Sequence, residues 1–177
     1  LFLPFTKALV AMSIKLVPEK GKVQKSPSEL VFMDKRFLST PTVAVGQLKK
    51  EIFRMADMTM ASSRVAFGGF IDRDISVIDS VYERNENIAS LGEQISDYLV
   101  KVSASGVSLA VEKEINGLHN NIGDIARVAE LADNFTKYTK REVRDNLVFS
   151  DGINEKLEIM HGMLHEQYEI VKKAVLD

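Results

Sequence analysis

All four prolines of this chain, Pro4, Pro18, Pro27 and Pro41, fall within the first 41 positions, and the remaining 136 residues contain none. Proline removes a backbone donor and clashes with the preceding turn, so the proline-free stretch can run in long helices. Its apolar residues recur at alternating three- and four-residue spacings, the pattern of helices with one buried face. Val45, Leu48, Ile52, Met55, Thr59, Ser62 and Ala66 make the first stripe. Thr40 is placed to cap that helix with Pro41 at its first position, and Gly68-Gly69 to end it in a left-handed C-cap. A second run, starting near Asp72 or Asp74, uses Ile78, Val81, Ile88, Ile95, Leu99 and Val102 and stops at Ser103-Ala104-Ser105-Gly106. A third uses Val111, Ile115, Leu118, Ile122, Ile125, Ala129 and Ala132 and continues to about Arg144. The fourth, opened by Ser150 or Asp151, uses Ile153, Leu157, Met160, Leu164, Tyr168, Val171 and Val175.

Four helices of about 22 to 38 residues joined by short connections pack as antiparallel neighbours. The expected fold is therefore all-α, an elongated up-down bundle about 35 to 50 Å long at 1.5 Å per residue. The fourth helix repeats the pattern of the first, residues 155–174 against 51–70, as though a second helical repeat begins there.

The proline-bearing start is a different kind of polymer. Residues 1–25 carry five lysines against one glutamate, a net charge of +4, which leaves 18 basic and 24 acidic residues, a net charge of −6, for 26–177. Residues 1–17 are apolar apart from Lys7 and Lys15, close to the length that spans a bilayer, and begin inside the apolar run, as the tail of a longer polypeptide would. A core helix is the competing reading, and so is an interfacial one with Phe5, Leu9, Met12 and Leu16 on one face. Lys20, Lys22 and Lys25 tilt the reading toward the membrane, since a lysine cluster beyond an apolar helix marks the cytoplasmic side. The expected organisation is a membrane-anchoring or last transmembrane segment over 1–17, a linker over 18–43 and a helical bundle over 44–177. Apolar residues within 29–38 predict that the linker lies against the bundle, with a strand-like or one-turn helical piece.

Several chemistries are excluded outright. With no cysteine there is no disulfide, thiolate nucleophile, iron-sulfur cluster or Cys-ligated zinc. A net charge of −2 gives none of the basic excess that nucleic-acid binding requires. GGF at 68–70 lacks the lysine and spacing of a phosphate loop, and no G-x-S-x-G elbow occurs. His161 and His165, four apart with Glu158 and Glu169 a turn away on either side, are the best metal candidates, although a solvated helix face explains them as well. Glu158-x-x-His161 occurs once, where a di-iron bundle needs two such motifs. Glu93 and Asp97 stand at i and i+4, where a hard cation could bridge them.

The third helix is unusual in holding Gly117 and Gly123 inside its periodic stretch, each costing about 1 kcal/mol relative to alanine. Such a cost predicts close packing, so that a leucine at Gly117 would clash. Gly117, Asn121 and Asp124 follow one line beside the apolar seam, where another helix or a polar ligand could approach.

Ile122-Gly123-Asp124, with Ala126 two residues later, resembles the third-helix signature of PhoU-like domains. Residues 33–44 with Glu51-Ile52 are similar to the junction entering the PhoU-like region of bacterial sodium/phosphate cotransporters; Asp97-Tyr98-Leu99-Val100-Lys101-Val102-Ser103 is similar to the end of their second helix, and Leu1, Pro4, Phe5, Thr6 and Lys7 to their last transmembrane helix. The resemblance covers nearly the whole chain. It implies a regulatory or interaction domain on the cytoplasmic side of the bacterial inner membrane, not an enzyme, docking on the transporter's membrane portion, on the membrane surface through residues 1–25, or on a second copy of itself. PhoU proteins hold metal clusters through E(D)xxxD pairs, and here Asn120 stands at the acidic position while Asp124 is kept. The expectation is accordingly no resident cofactor, beyond weak visits of a hydrated divalent cation. Gly117, Asn120, Asn121 and Asp124 become docking candidates, with Asp124, Glu93, Asp97, His161 and His165 as the metal candidates. The rival readings are a free-standing PhoU-type metal-binding regulator and a metal-dependent enzyme built on His161 and His165.

Overall fold

The computed structural model describes residues 26–176. The apolar segment 1–17 and Lys20, Lys22 and Lys25 therefore lie outside the described residues. Four helices carry the fold: α1 (Pro41–Ile71), α2 (Ile78–Ser103), α3 (Leu109–Asp145) and α4 (Asp151–Leu176). Among the described residues there is no strand, and no helix is long and apolar enough to cross a membrane. The longest, α3, spans about 55 Å at 1.5 Å per residue.

The contacts fix the directions. Ser62 meets Asn85 and Met55 lies beside Gly92, so α1 and α2 run antiparallel. Asn85 reaches Ala129 while Gly92 lies beside Ile122, which makes α2 and α3 antiparallel, and Asp57 with Tyr168 and Phe67 with His161 do the same for α1 and α4. The result is up-down-up-down.

The first three helices share one core. Leu48 and Met55 of α1, Ile88, Leu91 and Ile95 of α2, and Ile115 and Ile122 of α3 are almost fully withdrawn from water. A smaller cluster of Ala66, Val81 and Ala132 continues it, where short side chains let the three helices close together. Between the clusters a polar bridge crosses all three: Ser62 Oγ donates to Asn85 Oδ1 (2.7 Å), and Asn85 Nδ2 donates to the Ala129 carbonyl (3.0 Å). Buried Thr59 and Thr139 satisfy their hydroxyls on the carbonyls of Met55 and Phe135, one turn back.

Two boundaries differ from the expected ones. Pro41 opens α1 as its spacing predicts, but Thr40 makes no side-chain capping bond. At the other end, Gly68 and Gly69 are helical and α1 continues to Ile71; the left-handed residue is Arg73 (φ 55°). Gly69 serves a close approach instead, since a Cβ there would collide with the Val77 side chain and lie 3.1 Å from the Asp74 carbonyl. The third helix ends in Asn146, left-handed at φ 50°, a conformation asparagine tolerates.

α4 is set apart from the rest. None of its residues is buried, and it lies along α1 through one polar edge, leaving most of its apolar stripe exposed.

Candidate functional site

Polar side chains form two interacting clusters that join elements of the fold. The first is a clasp on the linker. Glu51 lies on the core face of α1 between Leu48 and Ile52 and is fully buried. A carboxylate cannot stay charged there without partners. Its Oε2 accepts from the backbone N–H groups of Val31 (2.9 Å) and Phe32 (2.7 Å), and Oε1 pairs with Arg54. Arg54 continues onto the carbonyls of Pro27 (2.9 Å) and Glu29 (2.7 Å). From α2, Gln94 donates to the Ser28 carbonyl and the Tyr98 hydroxyl to the Asp34 carbonyl (2.8 Å), and burial raises the Tyr98 phenol.

Four side chains on two helices thus hold six backbone groups of residues 27–34. Every one of these bonds is made to main chain, so the grip depends on the extended path of the segment and little on its side chains. The segment then turns: Asp34 accepts from the Arg36 backbone and guanidinium, which holds its carboxyl down to about 2, and a short 3-10 turn Lys35–Ser39 leads into α1. The linker does lie against the bundle, with Met33 as its buried anchor.

The second cluster is the α1/α4 seam. Tyr168 donates to Asp57 Oδ1 (2.9 Å), and Lys172 Nζ reaches the same oxygen (2.6 Å). Burial, then the Asp57 carboxylate, push the Tyr168 phenol well up. Two turns along, His161 stacks flat on Phe67, with centroids 4.1 Å apart, and meets the His165 ring edge-on at 4.5 Å. Arg64 Nη2 lies 3.0 Å from His165 Nδ1; an arginine can only donate, so Nδ1 accepts and the ring proton sits on Nε2. Burial lowers both imidazoles, and Arg64 adds to it.

These positions decide what the sequence-derived candidates can do together. His161 and His165 are neighbours, but one His165 nitrogen is taken by a cationic partner, an unfavourable surrounding for a metal ion. Among the described residues no three His, Asp or Glu side chains gather to hold one. Glu93 and Asp97 project from the exposed face of α2. Gly117 and Gly123 disagree with the close packing expected of them: a Cβ at either meets nothing within 4 Å. Of the docking candidates, Asn121 and Asp124 line a cleft of about 320 Å³ shared with Phe53, Tyr168 and Val175, whereas Gly117 and Asn120 are exposed away from it. No ion pair joins Asp124 to Arg127 among the described residues.

One further buried acid, Glu142, sits near the end of α3, its carboxyl raised by burial against the opposing pull of Arg73. The clasp, Asp57 and Glu142 were not singled out by sequence reasoning. Glu51 did carry a signal, being an acid at a core-register position with an arginine three residues on.

Comparison with protein-family models, with curated proteins and with solved structures finds no match for the chain.

Proposed function

We propose that this chain is a PhoU-like regulatory and interaction domain of a bacterial sodium-dependent phosphate transporter, seated on the cytoplasmic side of the inner membrane and performing no catalysis of its own. The observation that carries the reading is the clasp. The basic, apolar N-terminal region leads directly into a segment that the bundle grips by its backbone from both α1 and α2. A domain held in that way moves with whatever anchors residues 1–17. Displacement of the anchor changes the load on two helices at once, and conversely a bundle bound differently in two transporter states biases the equilibrium between them by the difference in contact energy. The helical architecture and the order of the PhoU-like motifs support the same assignment.

Two measurements test it. The full chain should co-float with anionic liposomes in a salt-sensitive manner, while residues 26–177 stay behind. Sodium-dependent uptake of radiolabelled phosphate by vesicles carrying the transporter should change when the bundle is removed, and Glu51→Ala should reproduce that change. Equal flotation of both chains would refute the anchor, and uptake indifferent to the bundle and to Glu51→Ala would refute the regulation.

A further inference from the structure

Glu142, near the C-terminal end of α3, is only 4% exposed, and its Oε2 is enclosed with no hydrogen-bond partner among the described residues. The neighbouring cation, Arg73, spends its Nη2 on the Glu142 carbonyl (3.4 Å) and on Asn146 Oδ1 (3.2 Å), not on the carboxylate. Burial disfavours a charge there, and so does the negative end of the helix dipole. Glu51 is as deeply buried but takes donors from two backbone N–H groups and from Arg54. A buried acceptor that the protein itself does not satisfy calls for an explanation.

The surroundings of the carboxylate supply one. Asn146, left-handed at φ 50°, turns the chain back on α3, and the Leu147 N–H donates to the Glu142 carbonyl (2.9 Å). That turn brings the connection to α4 over the end of the bundle, where Phe149 packs on Phe70 of α1 with ring centroids 5.9 Å apart. Phe70, Tyr138, Leu147 and Phe149, with Arg141 and Glu142, line a cavity of about 240 Å³. An apolar cavity of about 150 Å³ is enough to take up benzene, so this one has room for an aromatic ring bearing a small substituent.

Charge selects the substituent. Arg73 already lies beside the carboxylate, and Arg141, paired at 3.6 Å with Asp145, lies at the rim. An ammonium would be a third cation around one acid, and an anion would meet the acid itself. A neutral hydroxyl avoids both, donating to an ionised Glu142 in a charge-assisted bond. Burial raises this carboxyl against the pull of Arg73, and a hydroxyl also suits the protonated form because it accepts as well as donates.

We propose that this cavity binds a small neutral aromatic alcohol of the phenol type, its ring among Phe70, Tyr138 and Phe149 and its hydroxyl donating to Glu142 Oε2. The site belongs to the end of the bundle and stands independently of the transport reading.

The test titrates phenol, toluene, benzylamine and benzoate, at matched free concentrations, into the isotope-labelled full chain in mild detergent, following the backbone amide shifts of residues 138–149 by NMR. Phenol should bind saturably, at least ten-fold more tightly than toluene, its near-isostere without the donor, and more tightly than the ammonium or the carboxylate. Glu142→Leu removes the acceptor without stranding a protein donor; it should keep the helical circular dichroism and bring phenol down to the level of toluene. Phe149→Ala, at a side chain 40% exposed in the connection, should weaken phenol and toluene alike by several-fold. The absence of a saturable shift with every probe would overturn the proposal and leave the carboxylate to water. Toluene binding as tightly as phenol, or a phenol preference that survives Glu142→Leu, would overturn it by removing Glu142 from recognition. Benzylamine binding more tightly than phenol would overturn the neutral class of ligand.

Discussion

Replacing Glu51 by alanine isolates the clasp from the rest of the fold. The substitution strips the acceptor from two backbone N–H groups, at 2.9 and 2.7 Å, and removes the ion-pair partner of Arg54. Each buried donor left without a partner costs about 1 to 3 kcal/mol, and breaking a buried charge pair by deleting one member costs about 3 to 5 kcal/mol. These figures are not additive, and water limits them. Val31 is 49% exposed and Phe32 38% exposed, so a lifted segment is resolvated readily. The expected loss is about 2 to 3 kcal/mol, which for a domain of this size lowers Tm by roughly 5 to 10 °C. Glu51→Gln keeps one acceptor oxygen but aims an amide hydrogen at a donor, and should fall between the alanine variant and the parent. Hydrogen exchange read by mass spectrometry localises the effect: the amides of residues 31 and 32 should be protected in the parent and exchange freely in Glu51→Ala, with the core of α1 to α3 still protected. A Tm within about 1 °C of the parent, with those amides still protected, would refute the reasoning, because it would mean the carboxylate does not hold the segment.

The two kinds of glycine should separate in thermal melts followed by circular dichroism. A Cβ at Gly92 would stand 2.9 Å from Met55 Cε and 3.6 Å from Ile122 Cγ2, so alanine is tolerated by a shift of the methionine end whereas leucine overpacks by about 1 to 3 kcal/mol; at Gly117 nothing lies within 4 Å, and alanine should stabilise by up to about 1 kcal/mol. The α4 seam should weaken in acid. His161 and His165 titrate below their ordinary value when docked, so the stability they contribute is complete above the unfolded value of about 6.5 and is lost as pH falls through it toward the docked values. Exchange of the α4 amides should rise from pH 7.5 to 5.5, less so in His161→Phe, and a pH-independent rate would disprove the assignment.

The apolar periodicity made the helices legible before any coordinates, because a helix buries one face whatever its neighbours do. Leu48, Ile52 and Met55, or Ile115, Leu118 and Ile122, could be read as core from spacing alone, and they are. Helix ends were less legible. A Gly-Gly pair is compatible both with a left-handed cap and with close approach of another segment, and only the position of Val77 decides for the second at Gly69. The glycines of α3 failed in the opposite sense: their propensity cost is real, but nothing packs on them among the described residues, so cost alone did not locate a contact.

The polar sites were harder to read for a specific reason. Sequence motifs report side chains that act on one another at fixed spacing, and the clasp is made of side chains acting on a distant backbone, between residues 51, 54, 94 and 98 and the main chain of 27–34. Main-chain partners leave no trace in residue identity, so the sole sign was an acid at a buried register position. His161 and His165 show the converse. Their spacing is what a metal site would use, yet what they do is set by Phe67 and Arg64 of another helix, which turn the pair into a stacked, hydrogen-bonded seam. That seam also explains why the stripe of α4 is left facing water. A helix docked by its aromatic and charged edge sets only part of its hydrophobic stripe against its own bundle.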